Sequence, residues 1–195
     1  MSKNIETLIE VSYENRNRTT VFWRGILVAP VYLFFVTIVG SSDTVAVAGL
    51  LFVPTLLALV FRGIYPSYFL HINHALTEFE VRITSYLMLL TDDYPSIERN
   101  PKVAVIFPDV EGGKNLNRWL PLVKWLLAIP LYIVGIAYII ASGVVTFFAW
   151  IATWSTGRYP EWAASIVLGT IRFWNRVAGY SLFMVTDEYP SFSLK

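Results

Sequence analysis

Two long stretches almost without charge limit what this chain can become. From Gly25 to Phe61 the only charged side chain is Asp43, and from Trp125 to Gly157 there is none. Soluble domains average about 25% charged residues; this chain has 15%, against 55% hydrophobic. Crossing a bilayer takes about 20 apolar residues in a helix, so both stretches read as lipid-spanning. The first splits at Gly40-Ser41-Ser42-Asp43 into spans at 21–39 and 45–61. The second, taken as one helix over 119–154, would reach roughly 54 Å, too long for a bilayer. A turn near Ala141-Ser142-Gly143 gives spans at 119–138 and 142–156. The expectation is an all-α membrane protein with four transmembrane helices in two hairpins.

The chain also repeats itself. Gly63, Tyr65 and Pro66 recur as Gly157, Tyr159 and Pro160, and Thr91-Asp92-Asp93-Tyr94-Pro95-Ser96 recurs as Thr186-Asp187-Glu188-Tyr189-Pro190-Ser191. Upstream, Arg24 with Pro30-Val31-Tyr32 matches Lys124 with Pro130-Leu131-Tyr132. Anchors in the same order point to an internal duplication, with repeats at 1–98 and 99–195. Each unit holds an even number of expected spans, which makes the repeat parallel. After each hairpin comes an amphipathic segment, 66–90 and 161–185. Tyr68, Ile72, Leu76, Phe79, Ile83, Tyr86 and Leu90 form one apolar stripe, opposite His74, Glu78 and Arg82. The second copy opposes its stripe with Arg172 and Arg176. Both segments are expected to be interfacial helices on the membrane surface, with packing against the bundle as the other reading. Short runs at 8–13 and 103–107, rich in branched and aromatic residues, read as cytoplasmic strands able to pair across the pseudo-twofold axis.

The expected hairpin tips carry no Lys or Arg, so both termini and the central segment are assigned to the cytoplasm. Residues 1–20 are polar and lack the apolar core of a cleavable signal peptide. Zero cysteines exclude disulfides, thiolate metal sites and thiol nucleophiles.

Candidate chemistry is sparse. His71, His74 and Glu78 have metal-like helical spacing, but Ser165, Leu168 and Arg172 stand at the matching positions. Interfacial histidines are more often hydrogen-bonded surface groups, so neither metal nor cofactor is expected. The carboxylates Asp92, Asp93, Asp187 and Glu188 could do acid-base work. Yet Tyr94-Pro95 and Tyr189-Pro190 stop helices, and recurrence at one point of each unit argues for a structural turn. An ion pair to Arg82 or Arg176 on the preceding helix is expected there. Gly63-x-Tyr65-Pro66 and Gly157-x-Tyr159-Pro160 read as joints, and Pro30 and Pro130 as kinks. No phosphate loop, nucleophile elbow or intramembrane acid beyond Asp43 is present, which counts against active transport. No catalytic residue is assigned.

The runs Arg118-Trp119-Leu120-Pro121-Leu122-Val123-Lys124-Trp125, Thr146-Phe147-Phe148-Ala149-Trp150-Ile151 with Thr156-Gly157-Arg158-Tyr159-Pro160, and Thr186-Asp187-Glu188-Tyr189-Pro190-Ser191 resemble DUF4389, a family of bacterial membrane proteins. The resemblance is close over 99–195. Residues 7–98 resemble a looser second copy without the Thr-Phe-Phe-Ala-Trp run. It implies a multi-pass protein of the bacterial cytoplasmic membrane and no established activity. The favoured expectation is a non-enzymatic accessory or scaffolding subunit, with lipids and other integral membrane subunits as partners and no nucleic acid. The alternatives are a lipid or small-hydrophobe carrier, with a cavity lined by Tyr132, Tyr138, Trp150 and Trp154, and a metal-dependent enzyme built on His71, His74 and Glu78.

Overall fold

The computed structural model describes residues 4–39 and 44–194, with the backbone alone for 44–50. The chain is mostly helical with one small sheet. In order come β1 (Glu6–Ile9), α1 (Arg18–Leu27), α2 (Ala29–Val39), α3 (Thr44–Leu57), α4 (Ser67–Leu87), β2 (Val103–Ile106), α5 (Pro121–Leu127), α6 (Ile129–Thr156) and α7 (Glu161–Ser181).

Local chemistry sets the boundaries. Asn17 caps α1, its Oδ1 accepting from Thr19 N–H at 3.1 Å and Thr20 N–H at 3.3 Å; Asn117 does the same for Trp119 and Leu120. These side chains satisfy backbone donors that an opening helix leaves free. Pro30 and Pro130 have no N–H to give the carbonyl four residues back. The helix is interrupted just before each, at Val28 and Ala128. The Ala128 N–H then serves both Lys124 O and Leu126 O, and Leu126 is the residue the proline ring leaves without its regular donor. Gly63 (φ 64°) and Gly157 (φ 75°) end the apolar helices in the left-handed conformation, and Pro66 and Pro160 introduce α4 and α7.

The expected second hairpin is corrected. α6 runs unbroken for 28 residues through Ala141, Ser142 and Gly143, about 42 Å at 1.5 Å per residue. Of the three small residues there, Ala141 and Gly143 are exposed and Ser142 packs inward. Ser142 is fully buried, with its Oγ 3.8 Å from Met88 Sδ. The break at Ala128 shortens the continuous helix from the roughly 54 Å expected for 119–154 to about 42 Å. The turn expected at 40–43 lies outside the described residues. Among the described residues, two helical stretches are therefore long and apolar enough to cross a membrane, Arg18–Val39 and Ile129–Thr156, while Leu51–Arg62 is a shorter apolar helix.

β1 and β2 pair antiparallel, Glu6 opposite Ile106 and Ile9 opposite Val103. The pairing of an N-terminal with a central strand was legible in the sequence, although β1 lies a few residues earlier than 8–13. The sheet covers α4 and α7, and this changes the reading of both helices. α7 rests on α6 on one side and on β1 on the other, and its residues from Ala163 to Ser181 are largely buried. Phe173 and Val177 are at 0% exposure. On α4, Tyr68 is 82% exposed, but Phe79, Ile83 and Tyr86 are buried, as are Glu78 and Arg82 on the opposite face. The expected surface helices are interior helices along much of their length. α6 and α7 approach closely at Gly135, where a Cβ would stand 2.6 Å from Trp174 Cζ2; the Trp174 indole N–H donates to Gly135 O at 3.3 Å.

Candidate functional site

Two buried cations anchor the most constrained parts of the molecule. Arg24, 2% exposed, reaches from α1 past the end of α4. Its Nη1 donates to Tyr86 O at 2.8 Å and Thr91 O at 3.0 Å, and its Nη2 to Asp92 Oδ1. Its guanidinium lies 4.4 Å from the Tyr86 ring centroid. Arg16 joins from the opposite side: Nη2 is 3.0 Å from Asp92 Oδ1 and donates to Leu89 O at 2.7 Å. Tyr94 closes the junction, its hydroxyl donating to Leu27 O at 3.1 Å and its ring meeting Tyr86 edge-on.

The matched segments 94 to 100 residues later make the same contacts with a lysine. Lys124, fully buried, donates from Nζ to Thr186 O at 2.7 Å and lies 2.6 Å from Asp187 Oδ1. It sits 5.3 Å from the Tyr180 ring centroid, and Tyr189 donates to Leu127 O while packing on Tyr180. Asp92 and Asp187 also accept the backbone N–H of the cap residues Asn17 and Asn117. Each cation thus binds backbone carbonyls around the chain reversal that follows a helix, Tyr86 in the last turn of α4 with Thr91 beyond it, and Thr186 beyond α7, and is itself held by the carboxylate just downstream. Burial pulls the Lys124 ammonium below its usual range while Asp187 works against it. Burial likewise lowers Arg16 to about 10, again opposed by Asp92. Arg16 has no basic counterpart: Leu116 holds that place.

The expected partners of this motif are corrected. Asp92 and Asp187 pair with Arg24, Arg16 and Lys124, not with Arg82 or Arg176. Arg82 instead donates to Ile97 O and lies 3.6 Å from Glu78, and Arg176 donates to Ser193 O. The turn after the tyrosine folds the carboxylate back toward the start of the unit. The matched spacing of Arg24 to Pro30 and Lys124 to Pro130 was the signal that could have found these cations. The adjacent carboxylates part company, for Asp93 turns outward to Lys102 at 2.9 Å. Its carboxyl is held below its usual range chiefly by that hydrogen bond. The two acids thus serve different partners, Asp92 the buried arginines and Asp93 the exposed lysine.

The Gly-x-Tyr-Pro segments tie the halves to each other. Tyr65 donates its hydroxyl to Phe183 O at 2.6 Å and its N–H to Gly112 O at 2.9 Å. Reciprocally, Tyr159 donates its hydroxyl to Met88 O at 3.2 Å and its N–H to Tyr13 O at 2.8 Å. Burial pushes the Tyr65 phenol up to about 12 and that of Tyr159 higher still, which keeps both as donors.

The metal candidates disperse. His74 donates Nε2–H to Val105 O at 2.6 Å on β2 and packs edge-on against Phe107. Glu78 lies 3.6 Å from both Arg82 and Arg99, and His71 is exposed. No group of three His, Asp or Glu suited to a metal occurs among the described residues. The aromatic cavity also divides. Trp150 stacks on both Trp154 and Phe22, with Trp154 tilted against Phe22, whereas Tyr132 stacks on Trp174 and Tyr138 meets Phe173 edge-on.

Residues 118–193 match DUF4389, a domain of unknown function. The DUF4389 segment begins one residue after the Asn117 cap and contains the whole Lys124–Asp187–Tyr189 junction, with α5, α6 and α7. No curated protein and no solved structure matches the chain.

Proposed function

We propose that the chain is a non-enzymatic integral membrane protein, an accessory or scaffolding subunit of a larger bacterial membrane complex. It is built of two tandem DUF4389 units, the second more regular than the first. One observation carries the reading: the matched cations Arg24 and Lys124 are spent inside the fold, on backbone carbonyls and a carboxylate, while the outward surface of the apolar helices is hydrocarbon. Ile133, Ile136, Ile140, Val144, Phe147 and Ile151 of α6 are all exposed. Such a surface suits lipid or an apolar partner helix. The protein is multi-pass in the cytoplasmic membrane, with both termini cytoplasmic. The β1–β2 pair supports a single side for the N-terminal and central segments, since strands do not pair across a bilayer.

The test is purification in native nanodiscs at natural abundance, with masses read for co-purifying chains and lipids. A stoichiometric integral membrane partner is the expected result. A lone chain or homo-oligomer with one defined lipid would abandon the subunit reading for lipid handling. That second reading has its own support. A cavity of about 420 Å³ opens between α1 and α6, lined by Phe22, Phe147 and Trp150 with Arg24 at its wall.

A further inference from the structure

A groove of about 440 Å³ runs between α4 and α7, closed on one side by Ile139 of α6. The offset that carries Gly63 onto Gly157 carries its α4 lining onto its α7 lining: Thr77 onto Ile171, Val81 onto Asn175, Thr84 onto Ala178. The groove therefore lies along the pseudo-twofold axis of the repeat proposed above. A fold requirement would recur in both units, so an axial position where the copies differ in chemistry is where a single-copy function can sit. The sharpest difference is Glu80, which meets Trp174 at its matched position.

Glu80 is the only titratable residue lining the groove. It makes no hydrogen bond or ion pair with any described residue, whereas its polar neighbours are engaged. Thr77 donates to Asn73 O, Thr170 to Ile166 O and Asn175 to Thr7 Oγ1. Thr84 adds one further hydroxyl, and the rest of the lining, including Val81, Met88, Ile171 and Phe183, is apolar. The volume falls within the range of small-molecule sites. A carboxylate and an indole in one apolar groove match one ligand class: an ammonium attracted by charge and by the indole face, attached to a hydrocarbon tail. No Lys or Arg lines the groove to receive a phosphate, which disfavours a phospholipid headgroup.

We propose that the α4–α7 groove binds a small monocationic amphiphile, with Glu80 receiving the ammonium, Trp174 flanking it, and the apolar lining holding the tail.

The unliganded groove disfavours the charged form of Glu80, since crowding by protein pushes its carboxyl upward even though the side chain reaches solvent. The stability it contributes is fully present below the unfolded-state pKa and is lost as pH rises from there through the raised folded-state value. Glu80→Gln should therefore melt no lower than the parent at neutral pH, so loss of binding is separable from loss of fold. The experiment titrates hexylamine, hexanol and hexanoate against the full chain in phosphatidylcholine nanodiscs, with empty nanodiscs correcting for partition. Hexylamine is expected to bind about tenfold or more tighter than hexanol, with hexanoate weakest. In E80Q the amine preference should vanish, and Thr84→Trp, which fills the groove, should weaken amine and alcohol together. Equal binding of amine and alcohol by the parent, or unchanged amine binding by E80Q, overturns the proposal. Neither outcome depends on whether a partner subunit is found.

Discussion

Asp92→Ala is expected to destabilise the protein by about 3–5 kcal/mol, the usual cost of removing one member of a buried ion pair. Two guanidiniums depend on this carboxylate, with Arg16 at 4% exposure and Arg24 at 2%. Removing it leaves both cations held by carbonyls and by the faces of Tyr86 and Tyr159. Asp93→Ala, one residue on, should change little, because Asp93 and Lys102 form a solvent-exposed pair of the kind that contributes little. Thermal unfolding in mild detergent, followed by tryptophan emission, compares the two. Equal losses would mean that Asp92 is not the keystone of this junction. Asp187→Ala should fall on the Asp92 side of the comparison, since Lys124 has no exposure at all.

Gly113→Ala is expected to be comparably severe for a different reason. Gly113 has φ 98°, and a Cβ there would stand 2.7 Å from the backbone nitrogen of Tyr65 and 3.1 Å from Gly63 O. A side chain in that backbone region costs of order 1–3 kcal/mol, and the close atoms belong to backbone that cannot rotate aside. Relief requires lifting the Gly63–Tyr65 turn from the 112–113 loop, which breaks the Tyr65 N–H bond to Gly112 O and threatens the hydroxyl bond to Phe183 O. Gly112→Ala is the control. It shares a positive φ of 66° but has nothing within 4 Å of a Cβ, so it should show the backbone strain alone. If both variants melt together, the contact with Tyr65 has no weight.

The strands, the proline breaks and the glycine ends were legible because each rests on chemistry local to a few residues. β-branched runs pair, Pro30 and Pro130 remove a donor, and Gly63 and Gly157 take a left-handed φ. What failed depended on neighbours distant in the chain. Ala141-Ser142-Gly143 looked like a turn because small polar residues make turns, but Ser142 is small so that α6 can lie against Met88. The polar faces of α4 and α7 looked solvated because a stripe opposite an apolar face usually is. Here the sheet covers those faces, and Asn175 and Arg172 bond to Thr7. The acids of the recurring motif were assigned to arginines close in sequence, whereas their partners lie on α1 and α5, reached only after the chain reverses. His74, whose helical spacing suggested a ligand, is likewise engaged by a β2 carbonyl 31 residues away.

The reciprocal tyrosines bear on how the chain is made. Tyr65 finds its acceptor at Phe183 and Tyr159 finds its own at Met88, while β1 waits for β2. The first unit therefore leaves the ribosome with a phenol, a strand edge and a turn all lacking partners, and it stays incomplete until the last helix has been synthesised. Its helices can form early, but these ties close only after residue 183 has been made. Residues 1–98 produced alone should be removed by quality-control proteases, and supplying 99–195 as a separate chain should rescue them. Independent survival of the first half would mean the cross-ties are ornamental.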